Sequence, residues 1–489
     1  MTNDNWYRQD GEYRMINDIK VPGFIGGTRH FIRKCGKSIV VDSGVGLDSN
    51  GEIKVQYLPD GNNYIGKRID LILETHKHFD HSGSLPALTW HHPEALMLMS
   101  VKAFEGTRVT LEDSNHIAFK EAEKARKMGL PIPKPVFTEE QLDFFYNNPN
   151  LRVVDLPWWV DLNKAFDTDE WTGWEIGLHS AGHDVGASSF FIIAPDGDRI
   201  FLTGDIASHP TVVPGVMLPD DEFLGDFFTG GKVTMITEAT NGGLRMAKPR
   251  SEINREWEEI VRKTYERGSI VFNPSYAASK GSDRVLKSLH LGFPIVVDGL
   301  VRDHMRIELP EIDELIKSGK VVFIEEDKNK QEEAWRQRMQ YARGERGCVI
   351  YVASSATLNQ GIASAIAPEI LPNEKNTTVF TGHVFDDSVA KTILEIERGR
   401  TLKMTKLVKG RVEPIYVNVR CDVRHLDDSS HDYQDGLVER VRLARPETLI
   451  VHHCPGEASF NAFTERVKAL PHPPTKEPVW GLNGRKIYI

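Results

Sequence analysis

The stretch LILETHKHFDHSGSLPAL, residues 71–88, decides how this chain is read. An apolar run, Leu71–Leu73, leads directly into His76, His78, Asp80 and His81. Gly83 and Pro86 hold off a regular helix, so the four polar side chains are expected on a loop between a strand and a helix. A lone histidine is ordinarily a surface or core residue, as His91 and His92 are read here. Three within six positions at a strand end point instead to metal ligation. Neutral imidazole suits zinc and similar ions, and a neighbouring carboxylate can serve a second ion.

One loop cannot complete two coordination spheres, so further ligands are expected at the ends of other strands. Three candidates occur in order. His183 lies in SAGHDVGASSFF, among small residues that permit a tight turn. Asp205 lies in FLTGDIA, an apolar strand terminating in Gly-Asp, and His453 lies in LIVHHCPGEAS. The His452-His453 pair leaves either residue open as the last ligand; His453 is preferred because a strand sends neighbours to opposite faces.

Bulk properties narrow the setting. The 489 residues exceed one ordinary hydrophobic core and predict two domains or one domain with a large insertion. The formal charge of −10 supplies no global basic field for nucleic acid, so a polyanion must be held locally, in part by metal ions. No apolar run reaches the roughly 18 residues of a membrane span. The start MTNDNWYRQDGEYR has no secretory pattern. The expectation is a cytoplasmic chain with no membrane partner. Cys35, Cys348, Cys421 and Cys454 contain no CxxC pair, which argues against a disulfide framework or a zinc finger.

Residues 1–243 read as β-rich with a helical interlude at DSNHIAFKEAEKARKMG and TEEQLDFFYNN, the second opening on a capping threonine. From 244 to 412 helices and strands alternate, which implies a parallel sheet covered on both faces. Residues 413–489 add PIYVNVRCDVRHL, two helices, an apolar strand and a terminal Asn483-Gly484 hairpin signal.

The order HxHxDH, GHxxGA and an apolar strand ending in Gly-Asp resembles the metallo-β-lactamase superfamily, with Asp42 of VVDSG matching its early aspartate. The resemblance implies an α/β fold, an αββα sandwich with a two-metal site at the strand ends. It assigns His76, His78 and His183 to one ion, Asp80, His81 and His453 to the other, and Asp205 to both. Asp42 would orient a ligand histidine. Two Zn2+ per chain are implied, with Mn2+ or another divalent ion as alternatives.

The inserted α/β block, 244–412, resembles the β-CASP domain of nucleic-acid-processing members, lying between the two parts of the sandwich, 1–243 and 413–489. Its landmarks are Glu238 in ITEAT, His431 in DDSSHDYQDGLVERV and His453. The resemblance implies a ribonuclease in which hydroxide held between the ions attacks phosphorus and His431, oriented by Glu238, protonates the leaving oxygen. A histidine in the last motif favours RNA, single-stranded, over DNA. Endonuclease action is favoured over 5′-exonuclease action, and a homodimer is allowed for. The rival readings are a small-molecule hydrolase, a DNA nuclease and a non-catalytic scaffold subunit.

Weaker substrate-contact candidates are Ser275, Arg284, Ser354, Ser355 and His383. His179 and His304 are read as structural, and Cys454 as ordinary packing. Two basic groups, Arg336, Arg338, Arg343 and Arg346, then Arg398, Arg400, Lys403, Lys406, Lys409 and Arg411, are solvated faces by default; the second is the better candidate for phosphate contact.

Overall fold

Alternate apolar residues of each strand face two different cores. The computed structural model describes residues 12–15, 27–47, 53–55, 68–209, 211–213, 215, 221–325, 331–408, 411–481 and 486–489. Ile39, Val41, Leu71 and Leu73 enter one buried cluster, whereas Val40 and Ile72 enter another. Phe190 and Ile192 are likewise separated from Phe191, and Ile200 and Leu202 from Phe201. Strands buried on both faces therefore read as unbroken apolar runs.

Two seven-stranded sheets result. The first runs in the order Lys486–Tyr488, Glu12–Met15, His30–Lys34, Lys37–Val41, Leu71–Leu73, Leu96–Ser100 and Leu151–Val154. The second runs Val479–Trp480, Thr448–His452, Val233–Glu238, Arg199–Leu202, Ser188–Ile193, Glu175–Ser180 and Trp158–Asp161. Ile39, Leu73, Leu178, Phe190, Ile236 and Ile450 share the core between them. Helices Leu85–His91 and Glu139–Tyr146 cover the first sheet's outer face, and Gln434–Ala444 and Glu457–Lys468 cover the second's. These are the four layers of an αββα sandwich.

The third sheet has six strands, all parallel, in the order Val321–Phe323, Ile295–Asp298, Ile350–Ala353, Val271–Pro274, Thr377–Thr381 and Asp422–Leu426. Helices pack on both faces, Trp257 and Met305 on one side and Ile366 and Ile393 on the other. Because Asp422–Leu426 pairs with Thr377–Thr381, this layer runs past residue 412. The stretch PIYVNVRCDVRHL, which the sequence places in the last segment, does not stay together. It divides: Arg411–Asn418 forms a hairpin with Thr401–Val408, and the rest joins the parallel sheet.

Two local expectations also shift. The helix read from residue 113 begins at Val101, where the Ser100 hydroxyl accepts the Ala103 N–H at 3.0 Å, and runs to Met128. No turn residue separates it from the preceding strand, which hid its start. The loop expected at 76–85 contains one helical turn, Phe79–Ser82, before Leu85–His91 opens with Pro86 in its first turn. Thr138 and Gln141 form the capping box of Glu139–Tyr146. Asn483-Gly484 and Lys409 lie outside the described residues.

Candidate metal centre and its surroundings

The parallel strands Lys37–Val41 and Leu71–Leu73 end side by side, so the loops after them meet. Asp42 follows the first strand in a left-handed conformation, φ +64. Its fully buried carboxylate accepts the Thr75 N–H at 2.7 Å and hydroxyl at 2.8 Å, and the His81 Nδ1–H at 2.7 Å. Two residues on, Gly44 passes so close to the one-turn helix that a Cβ there would lie 1.6 Å from the Asp80 carbonyl oxygen.

The second sheet brings up the remaining side chains. His78 Nδ1 lies 3.0 Å from His76 Nε2 and 3.1 Å from His183 Nε2. Asp205 Oδ2 is 3.4 Å from His81 Nε2, 3.7 Å from His76 Nε2 and 3.9 Å from His183 Nε2. Asp80 Oδ2 is 3.5 Å from His453 Nε2 and 3.9 Å from His81 Nε2. His76, His78 and His183 thus form one compact ligand group and Asp80, His81 and His453 another, with Asp205 reaching both.

The donors fit divalent cations. His183 Nδ1 faces the Ser430 carbonyl at 3.0 Å, and a carbonyl only accepts, so the Nε2 lone pair turns towards His78. Asp42 similarly fixes the proton of His81 on Nδ1. His81 Nε2, His453 Nε2 and Asp205 Oδ1 are buried without a hydrogen-bond partner. Burial lowers the pKa of His78 to about 4 and of His183 to about 3, keeping both in the neutral form that binds metal. Burial would lower His81 too, but Asp205, Asp42 and Asp80 raise it well above its usual value, the mark of surplus negative charge.

His453 adopts φ +48 and bonds through Nδ1 to the Thr240 hydroxyl at 2.8 Å. Its neighbour His452 is directed elsewhere, its ring edge-on to His30 at 4.4 Å. Beside the cluster, His431 Nδ1 meets Glu238 Oε1 at 2.9 Å and lies 3.9 Å from Asp205 Oδ2. Glu238 is fully buried and also accepts the N–H groups of Ile206 and Thr240. Burial opposes the charge on His431, but Glu238 and then Asp205 outweigh it and raise its pKa to about 9. With Nδ1 engaged, Nε2 is the nitrogen available to another group.

The weaker candidates scatter. Arg284 is fully buried and ion-paired with Asp428 and, at 3.4 Å, Asp283. Ser275 is buried and donates to the Tyr276 carbonyl. Ser354 accepts the Leu300 N–H, and Ser355 shares a hydrogen bond with Thr357. His383 is exposed, its ring edge-on to Phe385. Arg338 is no solvated basic residue: both its Nε and Nη2 donate to the buried Asp298 carboxylate, at 2.8 and 2.9 Å. Arg398, Arg400 and Lys403 are exposed. Cys454 is buried, and all four cysteines are free.

Sequence reasoning missed Thr75, Thr240 and the Ser430 carbonyl, each of which hydrogen-bonds a candidate ligand histidine. Nothing in residue type marks them, since hydroxyls and carbonyls occur everywhere. It also missed Lys77 and Asp184, although each is adjacent to a candidate ligand.

Comparison with known families bears on this geometry. The profile described as "Metallo-beta-lactamase superfamily" matches residues 27–216, which hold His76, His78, Asp80, His81, His183 and Asp205. Over that segment the chain is similar to the metallo-β-lactamase superfamily.

Over most of its length the chain also shows homology to β-CASP RNA-processing proteins. It is 23% identical over 427 residues to "Probable RNase MJ4" of Methanocaldococcus jannaschii, covering 85% of this chain and 87% of that one. "Transcription termination factor FttA" of Thermococcus kodakarensis is 25% identical over 419 residues, 80% of this chain and 58% of the other. "Endoribonuclease YSH1" of Saccharomyces cerevisiae is 22% identical over 466 residues; the match spans 89% of this chain but 53% of the yeast protein. A crystal structure of a protein of unknown function from Enterococcus faecalis V583 shares the fold, with TM-score 0.57, 12% identity, and 98% and 99% of the two chains covered. Among the described residues no helix is long and apolar enough to cross a membrane.

Proposed function

We propose that this chain is a metal-dependent ribonuclease that hydrolyses phosphodiester bonds of single-stranded RNA in RNA processing or decay. The observation that carries the reading is the Glu238–His431 pair, 2.9 Å apart and set against two groups of metal-ligating atoms. Cleavage of a phosphodiester needs a proton for the departing sugar oxygen, and a histidine with a raised pKa and a fixed tautomer is suited to deliver it. Homology to β-CASP relatives named as ribonucleases supports the same conclusion.

His76, His78 and His183 would hold one ion, Asp80, His81 and His453 the other, and Asp205 would serve both. Bound there, two divalent ions, zinc by the donor set, supply a water made nucleophilic near neutral pH and neutralise phosphoryl oxygens. Asp42 holds His81 in the tautomer that presents Nε2. Glu238 holds the His431 proton on Nδ1 and favours the charged ring, whose Nε2 proton goes to the leaving oxygen. The products then carry 5′-phosphate and 3′-hydroxyl ends. Endonuclease action, an α/β layer inserted after residue 243 and reaching past 412, a cytoplasmic setting and a homodimer belong to the same proposal.

The test uses RNA labelled at one end, with free and blocked 5′ termini, beside DNA of the same sequence. Internal cleavage of both RNAs by the wild-type chain, abolished in Asp80→Ala, is expected. Equal, absent activity of the two proteins would sink the proposal, and cleavage of DNA alone would redirect it.

A further inference from the structure

Lys77 stands between His76 and His78, yet its side chain leads away from both. The ammonium is fully buried, donates to the Val185 carbonyl at 2.8 Å, and lies 3.1 Å from Glu308 Oε1 and 3.5 Å from Asp184 Oδ2. Its stem passes beneath the Val101–Met128 helix at Gly106, where a Cβ would come within 2.1 Å of Lys77 Cδ. Only a glycine allows that approach.

Each anion has a second attachment. Glu308 closes the Leu300–Glu308 helix of the α/β layer, where it also accepts the Ser279 N–H at 2.8 Å and the Ser282 hydroxyl at 2.5 Å. Asp184 lies 3.7 Å from His78 Nε2, on the far side of the ring from the Nδ1 that faces His76 and His183. Its two oxygens are buried without a hydrogen bond, so charge holds it between Lys77 and His78.

We propose that Asp184 is a positioning residue for His78, and that Lys77 and Glu308 hold it in place, so that the His76, His78, His183 ligand group depends on the seating of the α/β layer. This rests on the metal-dependent reading above. A ligand imidazole gains orientation and basicity from a carboxylate at its other nitrogen. A buried carboxylate is held in place by the cation paired with it. Lys77 is that cation, and Glu308 fixes where its ammonium sits. The chain of contacts thus runs from the α/β layer to a metal ligand.

Cobalt(II) titration of the metal-free full chain, followed by visible absorption, tests the relay. The variants are Asp184→Asn, Lys77→Met and Glu308→Gln; the last retains its oxygen for Ser279 and is the variant chosen to keep the fold, checked by circular dichroism and melting. The wild type is expected to take up two ions. Folded Glu308→Gln and Asp184→Asn should bind one of the two at least tenfold more weakly, within the 10- to 100-fold range for partners of ligand residues. At saturating cobalt, kcat on RNA should fall while KM stays within twofold. Wild-type affinity for both ions in folded Glu308→Gln overturns the relay and leaves the function standing. A wild-type chain that binds no cobalt overturns both.

Discussion

Glu238 and His431 are separated by 193 positions in the chain, yet their side chains meet at 2.9 Å. Glu238 ends a strand of the second sheet, and His431 follows the strand that closes the α/β layer. The whole inserted layer lies between the two partners in sequence, so its folding delivers the histidine to the metal centre.

Replacing His431 with Ala, or Glu238 with Gln, should lower kcat on RNA by about 10²- to 10⁴-fold, the usual contribution of a proton donor. The double variant should lose little more than either single one, because the two act as a unit. Metal content measured by elemental analysis should stay at the wild-type level. Loss of an ion with His431 would mark it as a ligand instead.

Metal removal should destabilise the chain. Ions that bind only the folded state stabilise by about 2.7 kcal/mol when present at a hundredfold excess over Kd. A chelator should therefore lower the melting temperature, and zinc added back should restore it. A melting curve indifferent to both would contradict the ligand geometry.

Gly44→Ala should disturb the metal centre without touching a ligand. The added Cβ would sit 1.6 Å from the backbone oxygen of Asp80 and 2.8 Å from the His81 nitrogen, so the one-turn helix must move. Reduced metal stoichiometry and a lower melting temperature are expected. A variant with full zinc occupancy would show that the loop yields more easily than its packing suggests.

Arg338→Met should cost about 3–5 kcal/mol by leaving the buried Asp298, which Tyr351 and Gly299 still hydrogen-bond, without its cation. RNA affinity of the folded fraction should be unchanged, whereas neutralising the exposed Arg398, Arg400 and Lys403 should weaken binding and flatten its salt dependence. Denaturant titration and filter binding at two salt concentrations separate the two effects.

Stability should fall as the pH drops below 6.5. Burial lowers His209 to about 2 and His304 well below its usual 6.5. The unfolded chain takes up these protons near 6.5, but the folded chain resists until far lower, so acid favours unfolding by about 1.4 kcal/mol per pH unit for each group. Urea titrations at pH 7.0 and 5.5 should show the loss, and His304→Gln should reduce it.

Much of this fold is legible because its strands are buried on both faces. The runs at 37–41, 71–73 and 188–193 stand out without any alternation to find. Boundaries were less legible where no turn residue intervenes, as between Ser100 and Val101. The 401–418 hairpin was hidden for another reason: which strand a β-segment pairs with is a long-range choice that its own residues leave open.

The site divides in the same way. Residue chemistry and spacing alone single out His76, His78, Asp80 and His81, because metal ligation demands those side chains in numbers that chance seldom provides. Sequence order then adds His183, Asp205 and His453. Tertiary structure alone decided that His453 turns towards Asp80 while His452 turns towards His30, that Arg338 is spent on Asp298, and that Lys77 reaches Glu308. The physical reason is that ligand chemistry and strand period are local properties of the chain. The partner of a buried charge is set by whichever distant segment packs against it.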